Sequence, residues 1–543
     1  MGRYCMNKNL SRRKILQLIG GAAATSGLMG TMTACQSRPS EKNGNEFDYI
    51  IVGAGSAGSV LASRLTEKPG TRVLVLEAGP VSTVPQIDDP LKWFGLLRTS
   101  LVWKNQSAPQ IHADARELLA PHGKLVGGSS AINAMIHHRP TARDIDGWNL
   151  NSWRWSDLQP MFKKSETWLG SSSAERGASG PTKVMMLPDT PPLANATLEA
   201  ADRLGFGVSK DINGTESVGA AINQLAFDGE KRQHTGRTYL GAALSRPNTT
   251  LQANARVTNL SFSGRRCVGV EYQVADEVRA ATAEKIILAA GALRSPKILM
   301  QAGIGPTDHL AEHGFKVVHD LPGVGENLHD HMLIAGNNFG TPEKVSGSSL
   351  HGSAAIVYGV SELSDGARDI MLNVSNTSRV FPPLESRDHG FKTTFSFTKP
   401  KSRGRLRLAS ADPFIAPIVD HNIFSDPIDI EGGIAALNYS RELLNAKEFA
   451  TFAGTEQNTS YFKDHSSMRN FLVAGATCFG HHSGTCRMGI DDDAVVDQNL
   501  KVRGIGGLYV MDASVIPNIP SSPTNALVIA MAELAATRIA AHK

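Results

Sequence analysis

An α/β fold is predicted, in which a parallel-sheet domain is interleaved with an α+β domain carrying a mostly antiparallel sheet. Three observations carry this prediction. Near the start, the apolar run FDYIIV (47–52) stops abruptly at glycines spaced G-x-G-x-x-G, before an amphipathic stretch and a second apolar run. Far along, KIILAA (285–290) repeats the passage from strand to glycine to helix at Gly291. From Gly340 to Ala450, by contrast, short strand-like runs alternate with polar turns, and that change of pattern marks a second domain.

Composition narrows the class. At 543 residues the chain exceeds one compact core, so two or more domains are expected. Hydrophobic and charged contents of 41% and 20% are ordinary for a soluble protein. A net charge of +4 over this length predicts no nucleic-acid partner. Five cysteines, none in C-x-x-C or another zinc spacing, predict neither a disulfide framework nor a metal site.

Residues 1–45 read as a leader and polar tether. Ser11-Arg12-Arg13-Lys14-Ile15-Leu16 is a twin-arginine pattern, and the apolar run from Leu18 to Met32 is too short and small to span a bilayer. Export to the periplasm is expected, by a route suited to a protein folded around a cofactor. Met32-Thr33-Ala34-Cys35 resembles a lipoprotein cleavage box, which would make Cys35 a membrane tether; an ordinary cleavage site nearby is the other reading.

Phe47 to Glu77 forms the organising βαβ unit. Gly53 permits a tight turn, Gly55 lets backbone approach a diphosphate, and Gly58 lets helix and strand pack closely. The diphosphate would sit at the start of the helix beginning near Ser59, among unpaired N–H groups. Glu77 ends the second strand, placed to accept hydrogen bonds from a ribose and to repel a 2′-phosphate, which argues against NADP. Taken alone, this stretch serves NAD or FAD.

The remaining elements follow in order. Gly79 to Gln110 is rich in Pro, Asp and Trp. Small residues in Gly123 to Met135 suggest backbone laid against something flat or charged. Ser156-Asp157-Leu158 caps a helix predicted to run to about Leu169, and Ser171 to Pro181 is a loop. Leu193 to Leu204 reads as helix, and Thr249 to Val274 and Glu284 to Ala290 as strands. Ile430 to Leu444 and Ser467 to Ala474 are helical. Leu508 to Asp512 is a strand, followed by a Pro/Ser/Asn-rich loop and a helix from Ala526 to Ala541.

Together these pieces resemble the glucose–methanol–choline (GMC) family of FAD-dependent oxidoreductases, over essentially everything after the leader. Gly53 to Gly58 with Glu77-Ala78-Gly79 matches the family's adenosine site, and Gly123 to Asn133 its first signature. Gly291 to Pro306 matches the second signature, with Ala302 where serine is usual. Arg246-Pro247-Asn248 with Val257, Asn327 to His331, and Lys399 to Gly404 resemble further family motifs. The resemblance implies a Rossmann-like FAD-binding domain of residues 46–151, 229–336 and 480–543, interleaved with a substrate-binding domain of 152–228 and 337–479. The implied FAD contacts are Gly53, Gly55, Ser56, Ala57, Gly58, Glu77 and Ala78 in the first unit. Val126, Gly128, Ser129, Ser130, Asn133, Ala134, Met135 and Ile136 come from the first signature. Val257, Ala290, Gly291, Ser295, Asp512, Ala513 and Thr524 complete the set. Ile132 stands where some relatives carry a flavin-linked histidine, so FAD is expected to be non-covalent.

The reaction implied is oxidation of an alcohol, with a near-neutral imidazole taking the hydroxyl proton. Gly480 to Gly489 (GHHSGTCRMG) resembles the family's H-x-x-G-T-x-x-M-G segment and places that base at His481. His482, where many relatives carry proline, receives only a wall role. His137, His138, His329 and His331 read as hydrogen-bonded loop residues. The second active-site position falls on Pro523, which has no donor to offer; Asn525 is the compensating candidate. A non-redox lyase with structural FAD, or an impaired FAD-binding lipoprotein, are the alternatives. The acceptor (oxygen, a quinone or a separate cytochrome) and the alcohol are not readable.

Overall fold

The structure, a computed structural model, describes residues 46–215 and 217–541. The twin-arginine pattern and Cys35 lie outside the described residues.

Its first sheet has seven strands. Four run side by side in the order Glu277–Leu288, Glu46–Val52, Val73–Leu76 and Thr249–Gln252, all parallel. Ile51 lies between Val75 and Ile287, and Val52 between Leu76 and Leu288. Such continuous Ile/Val/Leu runs are what a strand covered on both faces requires. Glu277–Leu288 serves two neighbourhoods. Its first half closes an antiparallel meander with Ala255–Ser263 and Arg266–Val274, and its second half pairs in parallel with Glu46–Val52 and Leu508–Val510.

The helix Ser56–Leu65 follows the first strand, and Gly53 makes the turn at φ +108°, where an L side chain would be strained. A Cβ on Gly58 would meet the Gly53 carbonyl oxygen at 1.9 Å, so only glycine permits this packing. Against that helix lies Thr524–Ala541. It is long and apolar enough to cross a membrane, but 67% of its apolar window is buried, as in a core helix. Glu533, inside this second helix, is fully buried and ion-paired to Arg64 at 2.7 Å and Lys164 at 3.0 Å, and accepts from the Tyr239 hydroxyl at 2.8 Å.

The second sheet is antiparallel throughout. Its order is Thr455–Glu456, Met332–Gly340, Gly390–Phe397, Ile370–Ser375, Ser353–Gly359, Gly219–Ile222, with Ala476–Cys478 also paired to Met332–Gly340. A separate apolar core of Phe339, Phe391, Phe395, Leu437 and Phe471 backs it, under the helices Ile428–Leu444 and His465–Gly475. The fold class expected from the sequence is the one observed.

Two expectations need correction. The helix predicted to about Leu169 ends at Ser165, and Glu166–Trp168 is a strand. Glu166 turns extended because its buried carboxylate bridges Arg176 at 2.8 Å and Arg139 at 2.9 Å, a tertiary demand that periodicity does not show. Within and beyond the Pro- and Trp-rich segment, Val102–Gln106 pairs with Leu119–Gly123 as a hairpin that the sequence reading missed.

Candidate active site

A cavity of about 750 Å³ opens beyond the carboxyl ends of the parallel strands, where Val52, Leu76 and Ala289 line its floor. Crevices at this edge of an α/β sheet are the usual ligand sites. One end is bounded by the first βαβ unit. The helix Ser56–Leu65 starts at Gly55 without a side-chain cap, so its first N–H groups are left for a ligand, and Gly55, Ser56 and Ala57 all line the cavity. Gly128 approaches Gly55 so closely that a Cβ on it would lie 2.7 Å from the Gly55 Cα. An uncapped helix start and a glycine-walled groove fit a dinucleotide diphosphate.

Glu77 stands beside this groove with backbone partners on both carboxylate oxygens, Ala54 N–H at 2.9 Å and Gly79 N–H at 2.8 Å. Burial pushes its carboxyl up to about 7, against the pull of those N–H groups. Each oxygen keeps a second lone pair for a ribose hydroxyl. Beyond it, Lys124, Arg256 and Arg294 surround the Trp103 ring at 4.7, 5.0 and 4.4 Å from its centroid. The sequence reading missed this cationic wall, whose members come from four separate segments.

At the other end of the cavity stand His481, Phe479, Pro523 and Thr524. The loop carrying His481 leaves the strand Ala476–Cys478 of the second sheet and is stitched down at once. Asp330 accepts the N–H groups of Gly480 at 3.0 Å and His481 at 2.8 Å, and Ser483 exchanges backbone hydrogen bonds with His329. Further on, Cys486 N–H and Met488 N–H reach Ser514 O and Val515 O, tying the loop to the segment after Leu508–Val510.

The His481 ring has a specific partner. His331 Nε2 lies 2.8 Å from the Pro520 carbonyl, and His331 Nδ1 lies 2.9 Å from His481 Nδ1. A carbonyl only accepts, so the His331 proton is on Nε2 and its Nδ1 carries a lone pair. His481 must then donate from Nδ1, which leaves its Nε2 lone pair free. Burial holds His481 well below the ordinary imidazole value, with His331 adding a smaller push, so the ring is neutral and basic in form. Phe479 lies against it at 4.2 Å between centroids. His331 is therefore more than the loop residue expected. Only its place two residues after another histidine in NLHDH could have signalled it.

Most predicted site residues line this one cavity, including Gly53, Ala78, Ser129, Asn133, Ala134, Ile136, Val257, Ala290, Gly291, Asp512 and Ala513. Gly58, Val126, Ser130, Met135 and Ser295 stand behind its wall instead. Ser130 donates to Gly127 O at 2.6 Å, Met135 packs with Leu187 and Leu225, and Ser295 donates to the Asp512 carboxylate. Asp512 also caps Ser514 and accepts from Gly291 N–H. Asn525 is fastened at the diphosphate end, its oxygen accepting from the Ser56 hydroxyl at 2.7 Å. Ile132 is buried in the wall.

A dinucleotide groove continuous with a neutral imidazole defines the class: a dinucleotide-dependent enzyme. Comparison with known proteins agrees. The family described as GMC oxidoreductase matches through its N-terminal domain over residues 47–333 and its C-terminal domain over 400–532, and the chain belongs to it. It is 35% identical over 525 residues to an alcohol dehydrogenase [acceptor] of Pseudomonas putida, covering 90% of this chain and 95% of that protein. It is 33% identical over 533 residues to an oxygen-dependent choline dehydrogenase of Escherichia coli, covering 91% and 95%. Among solved structures, pyridoxine 4-oxidase from Mesorbium loti superposes with a TM-score of 0.88 at 32% identity, covering 92% of this chain and all of that one. The enzyme is thus an FAD-dependent oxidoreductase of the kind that acts on CH–OH groups.

Proposed function

We propose that this protein oxidises a primary or secondary alcohol, with His481 as the general base. The flavin, when bound, supplies the hydride acceptor at N5. Gly55, Ser56 and Gly128 would hold its diphosphate, Glu77 its ribose, and Ile132 offers no atom for a covalent link, which supports non-covalent binding. His481 takes the hydroxyl proton on Nε2, and the observation that carries this role is the His331–His481 contact, which leaves that nitrogen unprotonated. As the ring charges, its Nδ1–H stays on His331, so the imidazolium that forms keeps its orientation. Pro523 contributes shape alone, so the alkoxide oxygen relies on one imidazole.

The alcohol and choline dehydrogenase relatives and pyridoxine 4-oxidase support a small-molecule alcohol. Anaerobic mixing with choline, pyridoxine, aryl alcohols and aliphatic alcohols tests the reading by loss of the flavin's visible band. Bleaching by one class is expected. A flavin that none of them reduces would favour the lyase or impaired reading, to which Pro523 gives some support. Repeating turnover with oxygen, a quinone or a cytochrome assigns the acceptor. Export with an interleaved two-domain body, and a tether at Cys35, rest on the sequence patterns; fractionation of cells expressing the full chain and a Cys35→Ala variant tests both.

A further inference from the structure

Beside the His481 ring, four potential ligand atoms converge from three stretches of chain, two of them from the His481 loop itself. His421 Nε2 lies 2.8 Å from His482 Nε2 and 3.5 Å from Cys478 Sγ, and His482 Nε2 lies 3.6 Å from Asp330 Oδ2. All four atoms fall within 4.8 Å of one another, with His421, His482 and Asp330 buried and Cys478 half-buried at the cavity wall. We propose that Asp330, His421, Cys478 and His482 bind one divalent transition metal of the zinc type.

The spacing suits that ion. Tetrahedral ligands at about 2.0–2.1 Å for nitrogen or oxygen and about 2.3 Å for sulfur stand roughly 3.3–3.6 Å apart. Of the six separations, the Cys478–His421 and Asp330–His482 pairs already stand there, the histidine pair needs to open by about half an ångström, and the remaining three lie within 4.8 Å. The chemistry suits it too. Two imidazoles, a thiolate and a carboxylate form a mixed N/S/O set typical of zinc, and their two negative charges cancel a divalent ion in a site with little water.

Hydrogen bonding alone does not satisfy this cluster. If His482 donates to His421, the single lone pair on His421 Nε2 is taken and the Cys478 thiol proton has no acceptor there. If His421 donates to His482, its Nε2 has no lone pair at all for that thiol. The Asp330–His482 separation is beyond hydrogen-bond range in either case. Nδ1 of both rings lacks a protein partner among the described residues, so whatever engages Nε2 sets the tautomer. A cation takes a lone pair from all four groups at once, each ring then holding its proton on Nδ1.

Such an ion would act by position. Asp330 is the carboxylate that accepts the N–H groups of Gly480 and His481, so fixing it fixes the start of the catalytic loop. No step of the alcohol reaction passes through the ion, and the test does not depend on turnover.

FAD-loaded enzyme is stripped with a chelator, given Zn²⁺ or Co²⁺, desalted, and assayed for metal by mass spectrometry. One ion per chain is expected, and the cobalt form should show tetrahedral ligand-field bands at wavelengths beyond the flavin's absorption. Cys478→Ser and His421→Ala should each weaken binding by roughly tenfold or more, with FAD content retained. Should a variant lose its FAD, the wild-type stoichiometry and cobalt spectrum decide alone. Wild-type enzyme that holds no metal above a blank overturns the proposal, as does occupancy that both folded variants keep.

Discussion

His481 and His482 are neighbours in sequence, yet they stand in two differently built surroundings. The first belongs to a directed chain: a carbonyl accepts from His331, and His331 accepts from His481. Every proton in it has a defined place, because the chain ends on a group that cannot donate. The second belongs to a convergent cluster with His421, Cys478 and Asp330, where no such terminus exists. His122 adds a further ring, 4.7 Å from His482 between centroids, without resolving the arrangement. On the assignments proposed above, the difference teaches that an imidazole serves as base or as ligand according to what its nitrogens meet. The residue type is the same for both; His482 is buried, and His481 is half-buried at the cavity wall.

The largest effect should come from the end of the directed chain. His481→Ala should slow flavin reduction by about 10²-fold or more while FAD stays bound, measured by anaerobic stopped flow. Unchanged reduction would remove His481 from the mechanism. His331→Phe deletes the acceptor and lets the His481 tautomer drift; a loss of about 10- to 100-fold is expected, the scale for an orienting partner. His331→Gln, which can still accept, should recover part of it. If both variants behave like wild type, the chain does not set the tautomer.

Smaller effects sharpen the contrast. Pro523→Asn adds a donor beside the substrate oxygen and should raise kcat/KM by up to about tenfold, the value of one modest hydrogen bond. His482→Ala should lower the flavin reduction rate less than tenfold, since that ring is assigned no proton-transfer role; a loss equal to that of His481→Ala would merge the two environments into one. The smallest effect is on pH. Because burial depresses the His481 pKa well below 6.5, the neutral base persists as pH falls, so the reduction rate should stay level from about pH 8 to 6. An acid limb centred at an ordinary imidazole value would show a solvated ring.

The two surroundings were unequally legible in the sequence. The βαβ unit and the His481 segment are local: glycine spacing, an apolar run and one loop motif carry them. So the parallel sheet and the loop that carries His481 to the cavity are legible from contiguous residues. The cluster around His482 draws on residues 330, 421, 478 and 482, and no spacing rule links Asp330 to His421 across a strand order that interleaves two sheets. His331 was visible in NLHDH but silent, because its importance lies in the Pro520 carbonyl nearly two hundred residues on. Met135, Ser130 and Ser295 show the converse. They lie in the matched motifs but behind the cavity wall, and a motif does not say which of its side chains face the cavity. Asn525 lines the cavity, with its side-chain oxygen engaged by the Ser56 hydroxyl at the diphosphate end, a tie that sequence does not show.

The pairing of Arg64 with Glu533, and of Ser56 with Asn525, has a consequence in time. Each joins residues 469 positions apart, so the first helix waits for its partners during synthesis. At ribosomal speeds of about 5–20 residues per second, that wait is roughly 20 to 95 s. Through it the dinucleotide groove exists only in part, because Leu508–Val510 and the helix Thr524–Ala541 are still missing. Loading of FAD, and any transport that demands a finished fold, therefore belong after the ribosome has released these last turns of helix.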